Sequence, residues 1–545
     1  MTRTWWKEAV IYQIYPRSFN DGNGDGVGDL RGIIEKLDYL QHLGVDVLWL
    51  SPVYASPNDD NGYDISDYRA IMSEFGSMAD FEEMLDGIHR RGMKLVMDLV
   101  VNHSSDEHEW FQQSRSSKDN PYRDYYFWEP EPPNNWIAFF GGKAWEYDDT
   151  TGEYYLHLFS KKQPDLNWEN PKVREEVYEL MRFWLDKGID GFRMDVIPFI
   201  SKRLDWPDIN LNDFGSAMRD VYANGPRLHE FLQEMVRETL SNYDAMSVGE
   251  APGVPRDLAK LYVGEGRGEL NMLFHFDHMT LDWGPKGKFD PKAWSLPEFK
   301  QIFTDWHEAM GDDGWISIFL DNHDFPRMVS RWGDDSDYRM ESAKLLATLL
   351  LTLRGTPSVY QGSELGMTNV AYEDFADYRD IESVNAIREA QERGADSAQL
   401  LQILHRVSRD NVRTPMQWNS RSHAGFTEGE PWIRVNPNYT EINAEAAVAD
   451  PDSIFHYYRR LLALRKKHLT LVYGEYEQLD GGSDWLYAYR RWDEEATFLV
   501  FLNFSGKEQS VPVEVPEGAQ PFFGNYPVPD AGTLRPWEAQ LWKLA

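Results

Sequence analysis

Eight short apolar runs rich in β-branched and aromatic residues recur along the chain, at residues 10–15, 45–50, 94–101, 189–196, 245–250, 271–276, 315–320 and 357–360. Segments with the 3.6-residue period of amphipathic helices precede several of them, at residues 30–43, 79–91, 173–187 and 228–241. Alternation of this kind predicts a parallel sheet covered by helices, and eight strands predict an α/β fold of the (β/α)8 TIM-barrel type. The reactive groups of such a barrel sit at the C-terminal ends of its strands.

Three stretches break the rhythm. Residues 104–171 are rich in Pro, Asn, Tyr and Trp with little helical period, and read as a lobe (domain B) inserted after the third strand. A charged, helix-containing segment at about 368–450 reads as an extension of the last barrel loop, and an amphipathic helix at 453–468 closes the barrel. Beyond it, strand-like runs at 471–479, 485–492, 497–504 and 510–515 predict an antiparallel β-sandwich. The expected division is therefore barrel at 1–103, lobe at 104–171, barrel again at 172–468 and β domain at 469–545.

Polar residues gather where the barrel needs them. Asp98, Asn102 and His103, then Arg193 and Asp195, then Glu250, then Asn322, His323 and Asp324 all fall at or just past a strand's C-terminal end. A strand's period of two points Arg193 and Asp195 to one side, so the guanidinium is expected to hold the Asp195 carboxyl below its usual range, ionised and able to act as a nucleophile. Alone, an R-x-D pair is more often a structural ion pair, and a lone histidine more often a satisfied core residue. The set of strand-end groups is what favours chemistry.

Residues 21–29, DGNGDGVGD, place oxygen side chains at Asp21, Asn23, Asp25 and Asp29, with the Val27 carbonyl between them. These match positions 1, 3, 5, 9 and 7 of an EF-hand-type loop, with Gly26 at the sharp turn. The twelfth position is Gly32 rather than Glu. A smaller hard-cation site is expected, for structural Ca2+ or, as the alternative, Mg2+; no organic cofactor is called for. Interleaved aspartates repel phosphate, which excludes a phosphate cradle.

The net charge of −35 repels nucleic acid and anionic membranes and leaves a neutral or cationic partner. Twenty-one Trp and 28 Tyr suit stacking on sugar faces as well as packing. With no cysteine, no apolar signal core at the N-terminus and no membrane-length apolar run, a cytoplasmic protein is expected. The oligomeric state is left open, with a monomer as the default.

The segments Asp98-Leu-Val-Val-Asn-His103, Gly191-Phe-Arg-Met-Asp195, Glu250 and Asn322-His-Asp324 resemble the α-amylase family, family 13 of the glycoside hydrolases, over nearly the whole chain. Through Gln163-Pro-Asp-Leu-Asn-Trp168, Asn61-Gly-Tyr-Asp-Ile-Ser-Asp67 and Arg413-Thr-Pro-Met-Gln-Trp418 the chain is most similar to the oligo-1,6-glucosidase and α-glucosidase branch. The resemblance implies Asp195 as nucleophile, Glu250 as acid/base and Asp324 as the carboxylate that grips the sugar. It implies Tyr63, Asp64, His103, Gln163, Arg193, His323 and Arg413 around the terminal glucose, and Val196 as a residue that favours α-1,6 linkages. The activity implied is that of a retaining, exo-acting α-glucosidase on short oligosaccharides or disaccharides.

Two positions depart from the branch, Asp321 in place of a common Asn and Phe325 after the third carboxylate. Both touch the leaving-group side and keep two alternatives open, a sucrose isomerase and a trehalose-6-phosphate hydrolase. The isomerase pattern has an arginine-rich loop after the sixth strand, whereas residues 279–286 here carry no arginine. Lys161 and Lys162 are the basic residues that would suit a phosphate. An endo-acting amylase and a non-catalytic relative of the fold are more remote.

Overall fold

A computed structural model describes residues 2–285 and 287–544. Eight parallel strands close into a barrel: β1 (Ile11–Ile14), β2 (Val47–Leu50), β3 (Lys94–Leu99), β4 (Gly191–Met194), β5 (Met246–Glu250), β6 (Met272–Phe274), β7 (Ile316–Ile318) and β8 (Thr356–Tyr360). Each strand pairs with the next and β8 with β1, all in parallel. All eight lie within the apolar runs of the sequence or overlap them. They were legible because a barrel strand is buried on both faces and so reads as an uninterrupted apolar run.

The helices obey local rules. Leu30–Leu43 starts where the Asp29 side chain accepts the Gly32 N–H, and stops at Gly44, whose φ of 97° takes the left-handed turn that a side chain resists. Gly191 opens β4 at φ 145°, and a Cβ there would lie 2.0 Å from the Met246 carbonyl oxygen. Only glycine lets β4 and β5 approach closely enough to pair at that register.

The inserted region carries a three-stranded antiparallel sheet, Trp128–Glu129, Glu153–Leu156 and Trp145–Asp148, and also a helix, Glu109–Ser116, that its weak periodicity did not announce. Trp136, Trp145, Leu156 and Leu158 pack with Val196, Phe199 and Tyr222, so this lobe is seated on the segment that follows β4. Towards the C-terminus a five-stranded antiparallel sheet runs in the order Glu475–Gln478, Leu486–Trp492, Thr497–Asn503, Ala539–Leu544, Gln520–Gly524, beside a two-stranded ribbon. One face, with Tyr487, Tyr489, Phe498 and Val500, joins the barrel core. Two strand-like runs behave differently from their letters: Thr470–Tyr473 is a helical turn, and of residues 510–515 only Ser510 is in a strand. Pro512 and Pro516 explain the second, since proline cannot donate to a ladder.

Candidate active site

At the C-terminal mouth of the barrel, Arg193 is the hub. Its side chain points inward, 5.0 Å from the Trp49 ring. Nη1 donates to Asp98 Oδ1 at 2.8 Å and to Asp195 Oδ1 at 2.6 Å, and Nη2 reaches Glu250 Oε2 at 2.8 Å. Asp98 is further held by the Trp49 indole N–H and the Tyr63 hydroxyl, both on Oδ2. Its place is beneath the site, orienting Arg193.

The same-side placement of Arg193 and Asp195 is observed, but the expectation that it alone would depress the Asp195 carboxyl needs correction. Burial acts first and pushes that carboxyl up; Arg193 opposes it, and Glu250 and Asp98 add repulsion. Glu250 is raised for the same leading reason. Three buried carboxylates around one guanidinium cannot all be ionised cheaply, so the group as a whole retains a proton. Glu250 Oε2 already accepts from Arg193 and from the Val196 backbone N–H at 2.9 Å. Oε1 is thus the Glu250 oxygen free to carry a proton.

Val196 makes this contact from a strained backbone. Its φ of 35° and ψ of 40° are left-handed, an outlier for a β-branched residue. Strain here turns the N–H toward Glu250 while the side chain packs in the cluster beneath the lobe.

Asp324 lies in the opposite electrostatic setting. Its Oδ1 accepts from Arg413 at 2.9 Å and Arg409 at 3.2 Å. The charges of Arg409 and Arg413, with the His323 Nε2–H beside them, overcome burial and hold its carboxyl well below the usual range. The Gln13 amide donates to His323 Nδ1 at 2.8 Å, which puts the ring proton on Nε2, 3.3 Å from Asp324 Oδ2. Burial keeps His323 neutral, with its pKa lowered to about 3. The imidazole is sandwiched against Tyr63, ring centroids 5.1 Å apart and planes within 7°.

The other expected sugar-contacting residues knit the rim together. Asp64 accepts the backbone N–H groups of Asp59 and Asp60, and burial raises its pKa to about 6. His103 faces the Tyr63 carbonyl through Nε2 at 3.1 Å, with its pKa lowered to about 4 by burial. Gln163 accepts the Ser160 N–H and donates to Asp60 and to the Tyr63 carbonyl. Arg413 also donates to the His323 carbonyl, and its Nη1 has no hydrogen-bond partner among the described residues.

Asp321 turns away from the pocket, accepting from Ser363 and from the Met328 N–H. Phe325 instead joins an aromatic wall, its ring centroid 5.8 Å from Phe276 and 6.5 Å from Trp283. Lys286, the end of the stretch compared with the isomerases, lies outside the described residues.

The 21–29 loop is elsewhere, packed on the last-loop extension through Asp21 N–H to the Phe426 carbonyl and Trp432 N–H to the Gly26 carbonyl. Its side chains fold it into successive turns: Asp21 accepts from Asn23, Gly24 and Gly26, Asn23 from Asp25, and Asp25 from Val27. Among the described residues no three acidic or histidine side chains converge as a metal cluster, so an ion there would need Asn23 and the Val27 carbonyl as well.

Sequence reading missed Arg409, Asp60 and Asp380. Arg409 donates to Asp380 and reaches Asp60 at 3.2 Å. One signal was available: Arg409 precedes Arg413 by four residues, one helical turn.

A barrel with paired carboxylates at its strand ends and a polar rim around them is the architecture of a glycoside hydrolase. The α-amylase catalytic domain model matches residues 13–474, and a β-galactosidase C-terminal domain model matches residues 488–544. The chain is 57% identical to an oligo-1,6-glucosidase of Parageobacillus thermoglucosidasius and 55% identical to one of Bacillus cereus, covering 100% of each protein in both cases. Among solved structures it superposes on the isomaltulose synthase SmuA of Protaminobacter rubrum with a TM-score of 0.95 at 46% identity, each chain covered fully. The trehalose-6-phosphate hydrolase of Bacillus licheniformis gives 0.95 at 47%, again over 100% of both chains. The chain belongs to the α-amylase family, family 13 of the glycoside hydrolases.

Proposed function

We propose that the protein is a retaining, exo-acting α-glucosidase that releases terminal α-linked glucose from short oligosaccharides or disaccharides and favours α-1,6 linkages. One observation carries this reading: a single guanidinium contacts both Asp195 and Glu250. Carboxyl groups gathered on one guanidinium suit the about 5–5.5 Å spacing of a retaining enzyme better than the about 6.5–9.5 Å that an inverting enzyme needs to seat its water. Asp195 attacks the anomeric carbon as Glu250 protonates the departing glycosidic oxygen, giving a covalent glucosyl–Asp195 ester. Glu250, now ionised, takes a proton from water, and that water's oxygen displaces Asp195. Asp324 Oδ2 steadies the oxocarbenium-like centre and grips the ring hydroxyls.

Proton NMR of the first-released sugar tests it. Initial α-glucose from an α-glucoside is expected, and initial β-glucose would refute the double displacement.

The α-1,6 preference rests on Val196 and on the names of the closely similar relatives. A sucrose isomerase and a trehalose-6-phosphate hydrolase are the competing readings, motivated by the solved relatives. Against the second, Lys162 is already paired with Asp106 and Glu107. Initial rates on isomaltose, maltose, sucrose and trehalose 6-phosphate discriminate all three.

The 21–29 loop is proposed to hold Ca2+, or Mg2+, through Asp21, Asn23, Asp25, the Val27 carbonyl and Asp29. Asp29 is raised first by burial and further by Asp21 and Asp25, so these acids are close enough to repel one another. The ion's work there is structural. No helix among the described residues is long and apolar enough to cross a membrane, and the absence of cysteine supports a cytoplasmic setting.

A further inference from the structure

Arg409 joins four parts of the molecule. Its Nε and Nη2 meet Asp380 Oδ1 at 2.7 and 2.6 Å, in the last-loop extension. Nη2 also reaches Asp60 in the loop after β2, and Nη1 reaches Asp324 after β7, each at 3.2 Å. The guanidinium lies 5.0 Å from the Phe140 ring of the inserted lobe. Beside it, the Asn385 amide donates to the Phe140 carbonyl at 3.1 Å, so lobe and extension meet over the pocket.

Arg409 and Arg413 approach the same oxygen, Asp324 Oδ1. One donor would leave the carboxylate able to turn about its last side-chain torsion. Two donors anchored to different parts of the chain set its plane and turn Oδ2, which among the described residues only His323 Nε2 approaches, at 3.3 Å, toward the substrate. Arg413 is anchored by the His323 carbonyl, and Arg409 by Asp380 and Asp60. A guanidinium can make these contacts together because its donors form a rigid planar fork; an ammonium cannot match them.

We propose that Arg409 is a positioning residue that fixes the orientation of Asp324 and thereby the rate of the chemical step. The inference rests on the role assigned to Asp324 above. Its test measures kcat and KM on isomaltose for Arg409→Lys, Asp324→Asn and the double variant, with melting temperatures alongside. Arg409→Lys should lower kcat about 10–100-fold and change KM less than about threefold, because misplacing a transition-state group costs rate rather than binding. In the Asp324→Asn background the same lysine should change kcat less than about twofold, since it acts through the group already lost. Millimolar guanidinium should restore part of the activity of Arg409→Ala, and equimolar urea should not.

A kcat for Arg409→Lys within about threefold of the parent, or an equal loss in both backgrounds, would overturn the proposal. If Arg409→Ala does not fold, the lysine pair decides. An active Asp324→Asn would instead refute the role of Asp324 itself.

Discussion

Two neighbouring regions of the site share out their cations differently. At the foot of the pocket one guanidinium, Arg193, serves three carboxyl groups, Asp98, Asp195 and Glu250. At its side, two guanidiniums, Arg409 and Arg413, meet on Asp324, and Arg409 also meets Asp380 and Asp60. Exposure differs as well: the Asp195 and Glu250 side chains are 10% and 9% accessible, and that of Asp324 is 27%. The difference assigns the protons. The cluster with one guanidinium keeps one, which the chemistry needs on Glu250, and the two guanidiniums that converge on Asp324 keep that carboxyl charged.

The strongest way to break this contrast is to neutralise each side in turn. Asp195→Asn should cost at least about 10⁴-fold in kcat, because the nucleophile itself is lost, while leaving the melting temperature unchanged or higher. Removing one buried, raised carboxylate relieves repulsion around Arg193. Activity within tenfold of the parent would end the assignment.

Next in size is Arg193→Met. Withdrawing the shared cation strands buried carboxylates and should destabilise by about 3–5 kcal/mol at neutral pH. Carboxyl groups raised in the fold are stabilised by protonation, so the deficit should shrink as pH falls. Thermal melts of both proteins between pH 5 and pH 8 measure it; a deficit that grows toward acid would contradict the cluster's raised character.

The barrel was readable because its rule is local: each strand is a run of neighbours in sequence. Asp195, Glu250 and Asp324 could be picked out since barrel chemistry is confined to strand ends. Arg409, Asp60 and Asp380 could not. Their convergence depends on how an extension of about eighty residues folds back over the β2 loop, and a charged segment does not announce which of its many charges turn inward. His103 and Gln163 lie in the recognised motifs, yet the partner they share, the Tyr63 carbonyl, is set by the third dimension. The helix at Glu109–Ser116 escaped for want of length and a clean apolar stripe.

A smaller effect comes from three buried histidines, two in the site and one, His278, packed among Phe299, Phe303 and Phe319. His103, His278 and His323 are neutral in the fold, with pKa values lowered to about 4, 3 and 3 by burial. The unfolded chain binds protons at these groups near pH 6.5, so it takes up more protons than the fold below that pH. Their contribution is complete above about pH 6.5 and is lost progressively as pH falls toward the folded values. Urea melts at pH 7.5 and pH 5 should differ in midpoint, and His278→Phe, remote from the sugar, should flatten the difference. A pH-dependent midpoint shift that is the same in His278→Phe as in the parent would contradict it.

Smallest is the effect of Val196→Ala. The backbone N–H that meets Glu250 is kept, and only the side chain under the lobe is trimmed, so the isomaltose-to-maltose ratio of kcat/KM should fall by roughly tenfold or less. A parent that prefers maltose, or an unmoved ratio, would transfer linkage selection to Phe325 or the lobe.

The contrast between the two regions is tested most directly by counting protons. Infrared difference spectra in the carboxyl stretching region at pH 7, taken for the parent and for Glu250→Gln, Asp195→Asn and Asp324→Asn, report which side chains carry one. A protonated carboxyl band is expected in the parent, absent from Glu250→Gln and unchanged in Asp324→Asn. No such band in the parent, or a band that survives Glu250→Gln and vanishes with Asp324→Asn, would contradict the division of charge on which the mechanism rests.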